Sequence, residues 1–273
     1  MTDRYAVIGN PIAHSKSPFI HGSFAQATGQ DIEYSAIEGP PQKFAATVDA
    51  FRAAGGKGLN ITAPFKLDAF AYATQRSRAA ELAGAANAMK FEGDRVLAEN
   101  FDGVGLVHDV VHNLGHALRG KRVLLLGAGG AARGALLPFL AQVPAELVIA
   151  NRTVEKALEL ARIGESRGQV RGCGYDALLG DRFDMVFNAT SASLRAELPA
   201  VPAGVFSSAM LAYELAYGKG LTPFLRLAQG AGVQHLADGV GMLAEQAAEA
   251  FAWWRGVRPD TAAVIEKLTI PLV

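Results

Sequence analysis

The chain is poor in cysteine, in net charge and in long apolar runs. Cys173 is its only cysteine among 273 residues, so no intrachain disulfide can form, which fits a reducing compartment. The expected role of Cys173 is a small packing residue rather than a reactive thiol. Lysine plus arginine number 26 and aspartate plus glutamate also 26. No net field therefore draws the chain to nucleic acid or to an anionic membrane surface, and a small anionic ligand would need a locally built site. No stretch reaches the roughly 18 unbroken apolar residues of a membrane span. Met1 to Tyr5 enter the first apolar run without a signal-peptide pattern. These absences predict a cytoplasmic protein, monomeric or homodimeric, whose partner is a small molecule.

Half of the residues are hydrophobic and 19% are charged, enough to bury the core of one large or two moderate domains. Short apolar runs alternate with amphipathic ones. Strands are expected at Tyr5–Ile8, Ile32–Ile37 and Gly58–Ile61, helices at Ser17–Thr28, Gln42–Ala54, Phe65–Ala73 and Arg78–Ala83, and a hairpin at Ala88–Phe91 and Arg95–Ala98. A long helix is expected over Gly103–Leu118. Val123–Leu126, Glu146–Ala150, Gln169–Gly172, Asp184–Asn188 and Met210–Glu214 read as further strands, and Gly241–Trp254 as a last, apolar helix. This alternation predicts an α/β protein with mainly parallel sheets covered by helices. The expected division is 1–101 plus about 239–273 as a substrate and catalytic domain, and 102–238 as a Rossmann cofactor domain. The last helix would return to the first domain, and a ligand would sit in the cleft between the two.

Gly127-Ala128-Gly129-Gly130-Ala131-Ala132 follows the most strand-like run and opens an expected helix. It matches G-x-G-x-x-G/A in the required context, with Ala132 in the third small position. Small residues let the backbone approach a pyrophosphate, and a helix N-terminus offers free N–H groups and positive partial charge. In other surroundings the same residues make a tight turn that binds nothing; the flanking strand and helix favour the ligand. At the end of the next strand stands Asn151-Arg152-Thr153, with no carboxylate for a ribose 2′-hydroxyl. Arg152 is suited to a 2′-phosphate, with Asn151 and Thr153 beside it, or else is a solvated surface charge; the pattern favours NADP over NAD.

Polar residues also gather at the expected strand ends of the first half. Asn10 to Pro18 includes the hydroxyls of Ser15 and Ser17, and Asn60 to Lys66 brings an amide, the Thr62 hydroxyl and an ammonium. Asn87 opens the hairpin, and Asn100-Phe101-Asp102 closes it. Paired hydroxyls and helix N–H groups suit a carboxylate, whereas Asn, Asp and Lys suit ring hydroxyls.

Taken in order, Gly9 to Pro18, Asn60 to Lys66, Gly103-Val104-Gly105, Gly127 to Ala131, Asn151-Arg152-Thr153, Asn188-Ala189-Thr190-Ser191 and Asp238-Gly239-Val240-Gly241-Met242 resemble the motifs of the shikimate dehydrogenase family. The resemblance covers nearly the whole chain. It implies reversible, NADP-dependent reduction of 3-dehydroshikimate to shikimate. By match, Lys66 and Asp102 would be the catalytic pair. Ser15 and Ser17 would hold the substrate carboxylate, and Asn60, Thr62, Asn87, Phe101, Tyr217 and Gln246 would line the substrate site. Gly127 to Ala131, Asn151 to Thr153, Thr190, Gly239 and Met242 would hold the cofactor.

The chain departs from that pattern near the substrate. Phe101 stands where the family usually has Thr, Ala88 where Thr commonly follows the hairpin Asn, and Ala63 where a larger aliphatic residue is usual. Losing a hydroxyl that meets a substrate costs about 0.5–1.5 kcal/mol, while the two alanines leave room that Phe101 can partly refill. The departures leave three readings open: weakened shikimate activity, the same chemistry on quinate or another analogue, and a sensor that binds without turnover. Finally, His108, His112 and His116 recur every four residues, but no carboxylate or cysteine joins them at ligand spacing, so a solvated helix face is expected rather than a metal site.

Overall fold

A computed structural model describes residues 2–195 and 197–272, with the side chains of Ser193 and Leu194 also left undescribed. The chain forms two compact units, 1–105 with 244–267, and 106–243 with 268–273. Each changeover at 105/106 and 243/244 lies inside a helix rather than in a loop, and residues 268–273 group with the second unit rather than the first.

The first unit runs β1 (Asp3–Gly9), α1 (Ser17–Thr28), β2 (Ile32–Glu38), α2 (Phe44–Ala53), β3 (Gly56–Ile61), α3 (Lys66–Tyr72), β4 (Gln75–Arg76), α4 (Arg78–Ala83), β5 (Ala88–Glu92) and β6 (Arg95–Glu99), then enters α5 (Asp102–His108). Its sheet has the order β2-β1-β3-β5-β6-β4. β1 is parallel to β2 and β3, while the β5–β6 hairpin pairs antiparallel with β3. Pro18 suits the first turn of α1, and Gly29 in the left-handed region closes the helix. Ile8, Val48, Leu59, Phe65 and Met89 fill the core on one face.

In the second unit come β7 (Arg122–Leu126), α6 (Gly130–Ala141), β8 (Glu146–Ala150), α7 (Val154–Gly164), β9 (Val170–Cys173), β10 (Met185–Asn188), β11 (Leu211–Glu214), α8 (Pro223–Gly230) and β12 (His235–Asp238). All six strands are parallel, in the order β12-β11-β10-β7-β8-β9. That is the doubly wound Rossmann order, whose switch point lies between β7 and β10. Strands buried on both faces explain the unbroken apolar run Val123 to Leu126, every residue of which is fully buried.

Two helices close the chain, α9 (Val240–Arg255) and α10 (Ala262–Leu268). Residues 244–255 of α9 belong to the first unit, as the sequence predicts for the last long helix. Trp254 donates its ring N–H to the Met89 carbonyl at 3.0 Å and stacks on Tyr5 with ring centroids 4.7 Å apart. Gly58 makes this docking possible, since a Cβ there would lie 2.6 Å from the Trp254 ring nitrogen.

Some expectations need correction. The long helix over Gly103–Leu118 is α5 followed by one π-helical turn, Asp109–Asn113. Gly115 at φ +71° turns the backbone out of the helix. His116 is therefore not on a face with His108 and His112; its Nε2 lies 2.7 Å from His235 Nδ1 instead. Among the described residues, no group of three or more His, Cys, Asp or Glu stands where it could hold a metal, and no helix is long and apolar enough to cross a membrane. β4, β12 and α10 escaped the sequence reading: β4 has two residues, and β12 (His-Leu-Ala-Asp) has no β-branched residue.

Gly58→Ala would drive a methyl group into Trp254 and the Met89 carbonyl. The expected loss is about 1–3 kcal/mol of stability, read as a lower urea midpoint with an unchanged slope; a wild-type midpoint would show that α9 does not pack on β3 in this way.

Candidate active site

The C-terminal ends of β1 and β3 are tied together before any functional group is placed. Asn10 N–H donates to the Ala63 carbonyl at 3.0 Å, and Thr62 N–H to the Ile8 carbonyl at 3.0 Å. Gly9 must lack a side chain, because its Cβ would meet Thr62 Cγ2 at 2.5 Å. The loop after β1 then delivers Ser15 and Ser17 to the start of α1. Ser17 N–H donates to Ser15 Oγ at 3.3 Å, and Ser17 itself is buried. Asn60 closes β3 together with Ile61, and the loop that follows carries Thr62 and ends at Lys66, the first residue of α3.

Lys66 Nζ donates to Asp102 Oδ2 at 2.6 Å; the lysine side chain is 36% exposed and the aspartate 13%. Asp102 opens α5, and its N–H is held by Asn100 Oδ1 at 3.1 Å. The other carboxylate oxygen, Oδ1, accepts from Asn87 Nδ2 at 2.8 Å. The same nitrogen reaches Gln246 Oε1 at 3.1 Å, while Asn87 Oδ1 accepts the Phe101 N–H at 2.9 Å. Asn87 is 2% exposed. Its amide is thus engaged in orienting the aspartate, Gln246 and the backbone before Asp102. Gln246 comes from α9, which approaches α5 so closely that a Cβ on Gly105 would lie 2.6 Å from Gln246 N. The geometry brings together a solvent-reachable ammonium, an oriented carboxylate and the polar groups from two strand ends. Such a set can stabilise and protonate a developing alkoxide.

The Phe101 ring turns into an apolar cluster with Tyr5, Tyr34, Ala88, Ala250, Trp253 and Trp254. Its partner is Trp253, edge to face with centroids 5.8 Å apart. Ala88 is fully buried there, so a larger residue at 88 would compete for the space this cluster occupies. Tyr217, the other expected substrate residue, belongs to the second unit and is 43% exposed.

In the second unit, Gly127 to Ala131, Asn151 to Thr153 and Thr190 line one cavity of about 610 Å³. Gly127 at φ +109° lies across the switch point from β10, and a Cβ would sit 3.0 Å from the Ala189 carbonyl oxygen. Around Gly129 and Gly130 an added Cβ would meet nothing within 4 Å, so the space before the start of α6 is clear for a ligand. Arg152, Lys156 and Arg195 bring cationic groups to the same wall. A glycine cradle at a helix N-terminus with cations where β8 ends fits a dinucleotide carrying an extra phosphate. Lys156 was missed from the sequence, although it follows Arg152 by four residues in the first turn of α7. Gly239 and Met242 do not line this cavity; they stand at the start of α9.

Two buried carboxylates fix the neighbouring loops. Glu214, fully buried at the end of β11, accepts from Asn188 Nδ2 at 2.9 Å and Thr222 Oγ1 at 3.2 Å. Asn188 Oδ1 in turn accepts from Thr190 Oγ1 at 2.7 Å. On the other side of the same strand, Tyr213 donates to Asp109 Oδ2 at 2.6 Å, and its oxygen accepts the Met242 N–H at 3.3 Å. Burial beside the Asp109 carboxylate pushes the Tyr213 hydroxyl well above its ordinary pKa. The Asp109 carboxylate rests against α9 at Gly241, where a Cβ would lie 2.0 Å from Oδ1.

Comparison with known proteins decides the family. Residues 7–89 match the shikimate dehydrogenase substrate binding domain, 109–197 the shikimate / quinate 5-dehydrogenase model, and 239–269 the shikimate 5′-dehydrogenase C-terminal domain. The chain is 56% identical over 268 residues to a shikimate dehydrogenase (NADP(+)) of Nitrosospira multiformis, covering 98% of each. The chain belongs to the shikimate dehydrogenase family. Among solved structures, an Ael1 enzyme from Pseudomonas putida superimposes with TM-score 0.96 at 66% identity, covering 100% of both chains. The shikimate 5-dehydrogenase of Thermus thermophilus, solved with NADP(H) and shikimate, gives TM-score 0.85 at 30% identity, covering 97% of this chain and 98% of that one.

Gly241→Ala would push the Asp109 carboxylate off Tyr213. We expect a loss of about 1–3 kcal/mol in urea unfolding, with Gly239→Ala similarly damaging because its Cβ would meet the Leu215 carbonyl oxygen at 2.1 Å. Wild-type stability in both would mean that the loop is not held against these groups.

Proposed function

We propose that the protein catalyses the reversible, NADP-linked reduction of 3-dehydroshikimate to shikimate. The observation that carries this reading is the Lys66–Asp102 pair, held at 2.6 Å and braced by Asn87 at the mouth of strand-end loops rich in hydroxyl and amide groups. Membership of a family whose relatives are named NADP-dependent shikimate dehydrogenases supports it.

The first unit binds and polarises the substrate. Ser15 and Ser17, at the start of α1, are assigned to its carboxylate, and Asn60, Thr62 and Gln246 to its ring hydroxyls. As negative charge builds on the carbonyl oxygen, the Lys66 ammonium stabilises it and transfers a proton to it. Asp102 keeps the ammonium in place and accepts a hydrogen bond from a substrate hydroxyl. Asn87 supports both by fixing the aspartate. In the second unit, Gly127 to Ala131 and the start of α6 are assigned to the pyrophosphate, Arg152 and Lys156 to the 2′-phosphate, Thr190, Gly239 and Met242 to the nicotinamide, and Tyr217 to the substrate. Bound NADPH supplies the hydride. With a hydride so supplied to the carbonyl carbon, the lysine proton would go to its oxygen and the product would be a secondary alcohol. We place this activity in the cytoplasm, with no nucleic acid or membrane partner.

Purified protein should reduce NADP+ with shikimate. Lys66→Ala should abolish turnover while the dissociation constant for NADP+ stays within about twofold. Normal turnover in that variant would remove Lys66 from the chemistry, and absent turnover in the wild type would remove the substrate assignment, with quinate the next acid to try.

Packing of the Phe101 ring against Trp253 supports a retuned rather than a lost substrate site. Restoring a hydroxyl by Phe101→Thr is expected to raise kcat/KM for shikimate about two- to tenfold. An unchanged or lower value would show that position 101 is matched to shikimate as it stands, or that the natural substrate is an analogue with no oxygen there.

A further inference from the structure

Resting on that reading, we propose that Tyr34 is a positioning residue that sets Asn60 as a hydrogen-bond donor towards the substrate. Tyr34 stands on β2, outside every motif that marks the site. Its hydroxyl donates to Asn60 Oδ1 at 2.7 Å. An asparagine side chain has one acceptor oxygen and one donor nitrogen, so occupying the oxygen decides which end remains available. Asn60 Nδ2 has only a 3.5 Å approach to the Asn87 carbonyl, at the limit of a hydrogen bond, and retains donor capacity. The group it recognises must therefore present a lone pair, as a ring hydroxyl or ketone oxygen does. Without Tyr34 the amide could turn over at little cost and present its oxygen.

The tyrosine is held rigidly enough for this task. His21, fully buried, stacks on it with ring centroids 4.2 Å apart and planes within 4° of parallel. Burial lowers the His21 pKa to about 3, against a weaker opposing pull from the Asn60 side chain, so the stacking partner is a neutral imidazole at physiological pH. Desolvation pushes the Tyr34 pKa well above its ordinary value, which keeps the proton that Asn60 accepts.

The test compares wild type, Tyr34→Phe and Asn60→Asp. For Tyr34→Phe, KM for shikimate should rise about three- to tenfold while kcat and the dissociation constant for NADP+ stay within about twofold. Asn60→Asp keeps the tyrosine's acceptor but removes the donor, and should raise KM further. A Tyr34→Phe enzyme with unchanged KM overturns the proposal. So does one in which kcat, substrate affinity and NADP+ affinity all fall together, since that marks general damage to the fold. If the wild type shows neither turnover of shikimate nor a shikimate-dependent rise in Tm, the functional assignment fails and this inference fails with it. If the wild type turns over shikimate and only the Tyr34→Phe prediction misses, the assignment stands and the role of Tyr34 is refuted.

Discussion

The amide of Asn87 is the constraint on which the geometry of the Lys66–Asp102 pair depends. Buried just before β5, it is tied to two segments distant from each other in sequence: Phe101 and Asp102 at the head of α5, and Gln246 on α9. A carboxylate beside a lysine is common on protein surfaces and contributes little there. What distinguishes Lys66 and Asp102 is that the carboxylate is held on its far side by a buried donor, so the pair keeps its geometry while the ammonium stays reachable. A site whose groups are already oriented loses less entropy when substrate arrives and less again in the transition state.

The second unit follows the same logic with different groups. Tyr213 and Glu214 are neighbours on β11, so their side chains leave opposite faces of the sheet. One fixes Asp109 and the start of α9; the other fixes Asn188 and, through it, Thr190. Buried carboxylates are costly unless every oxygen finds a partner, and here the partners are the loops that need to be held. Stability and site geometry are consequently coupled: loosening a loop also strips a buried charge of its donors.

Much of this was legible in the sequence because it rests on local rules. Strand-to-helix glycines, Pro18 in the first turn of α1 and the apolar run Val123 to Leu126 each announce their element within a few residues. Motif resemblance alone singled out Lys66 and Asp102, which the fold pairs at 2.6 Å. What stayed hidden depends on contacts between distant segments. Nothing near Tyr34 in sequence says that its hydroxyl meets Asn60, and nothing near Asn87 says that its amide faces inward. The expected helix through Leu118 failed for a related reason. Helical spacing of His108, His112 and His116 is a local signal, but Gly115 ends the turn and His116 finds His235 on β12 instead.

Phe101 shows how a departure from a family pattern should be weighed. Judged by the family pattern, replacing a hydroxyl by a phenyl ring beside Asp102 suggests damage. In the fold, the residue's backbone and side chain serve different ends. Its N–H keeps the hydrogen bond to Asn87 that positions Asp102, a contact indifferent to side-chain identity. Its ring enters an apolar cluster that contains Ala88 and Trp253, so the small residue at 88 and the large one at 101 belong to one packing solution. The pairing of Lys66 with Asp102 and the packing of the Phe101 ring are therefore separable here. A side chain at 101 can change its packing without disturbing how Lys66 meets Asp102.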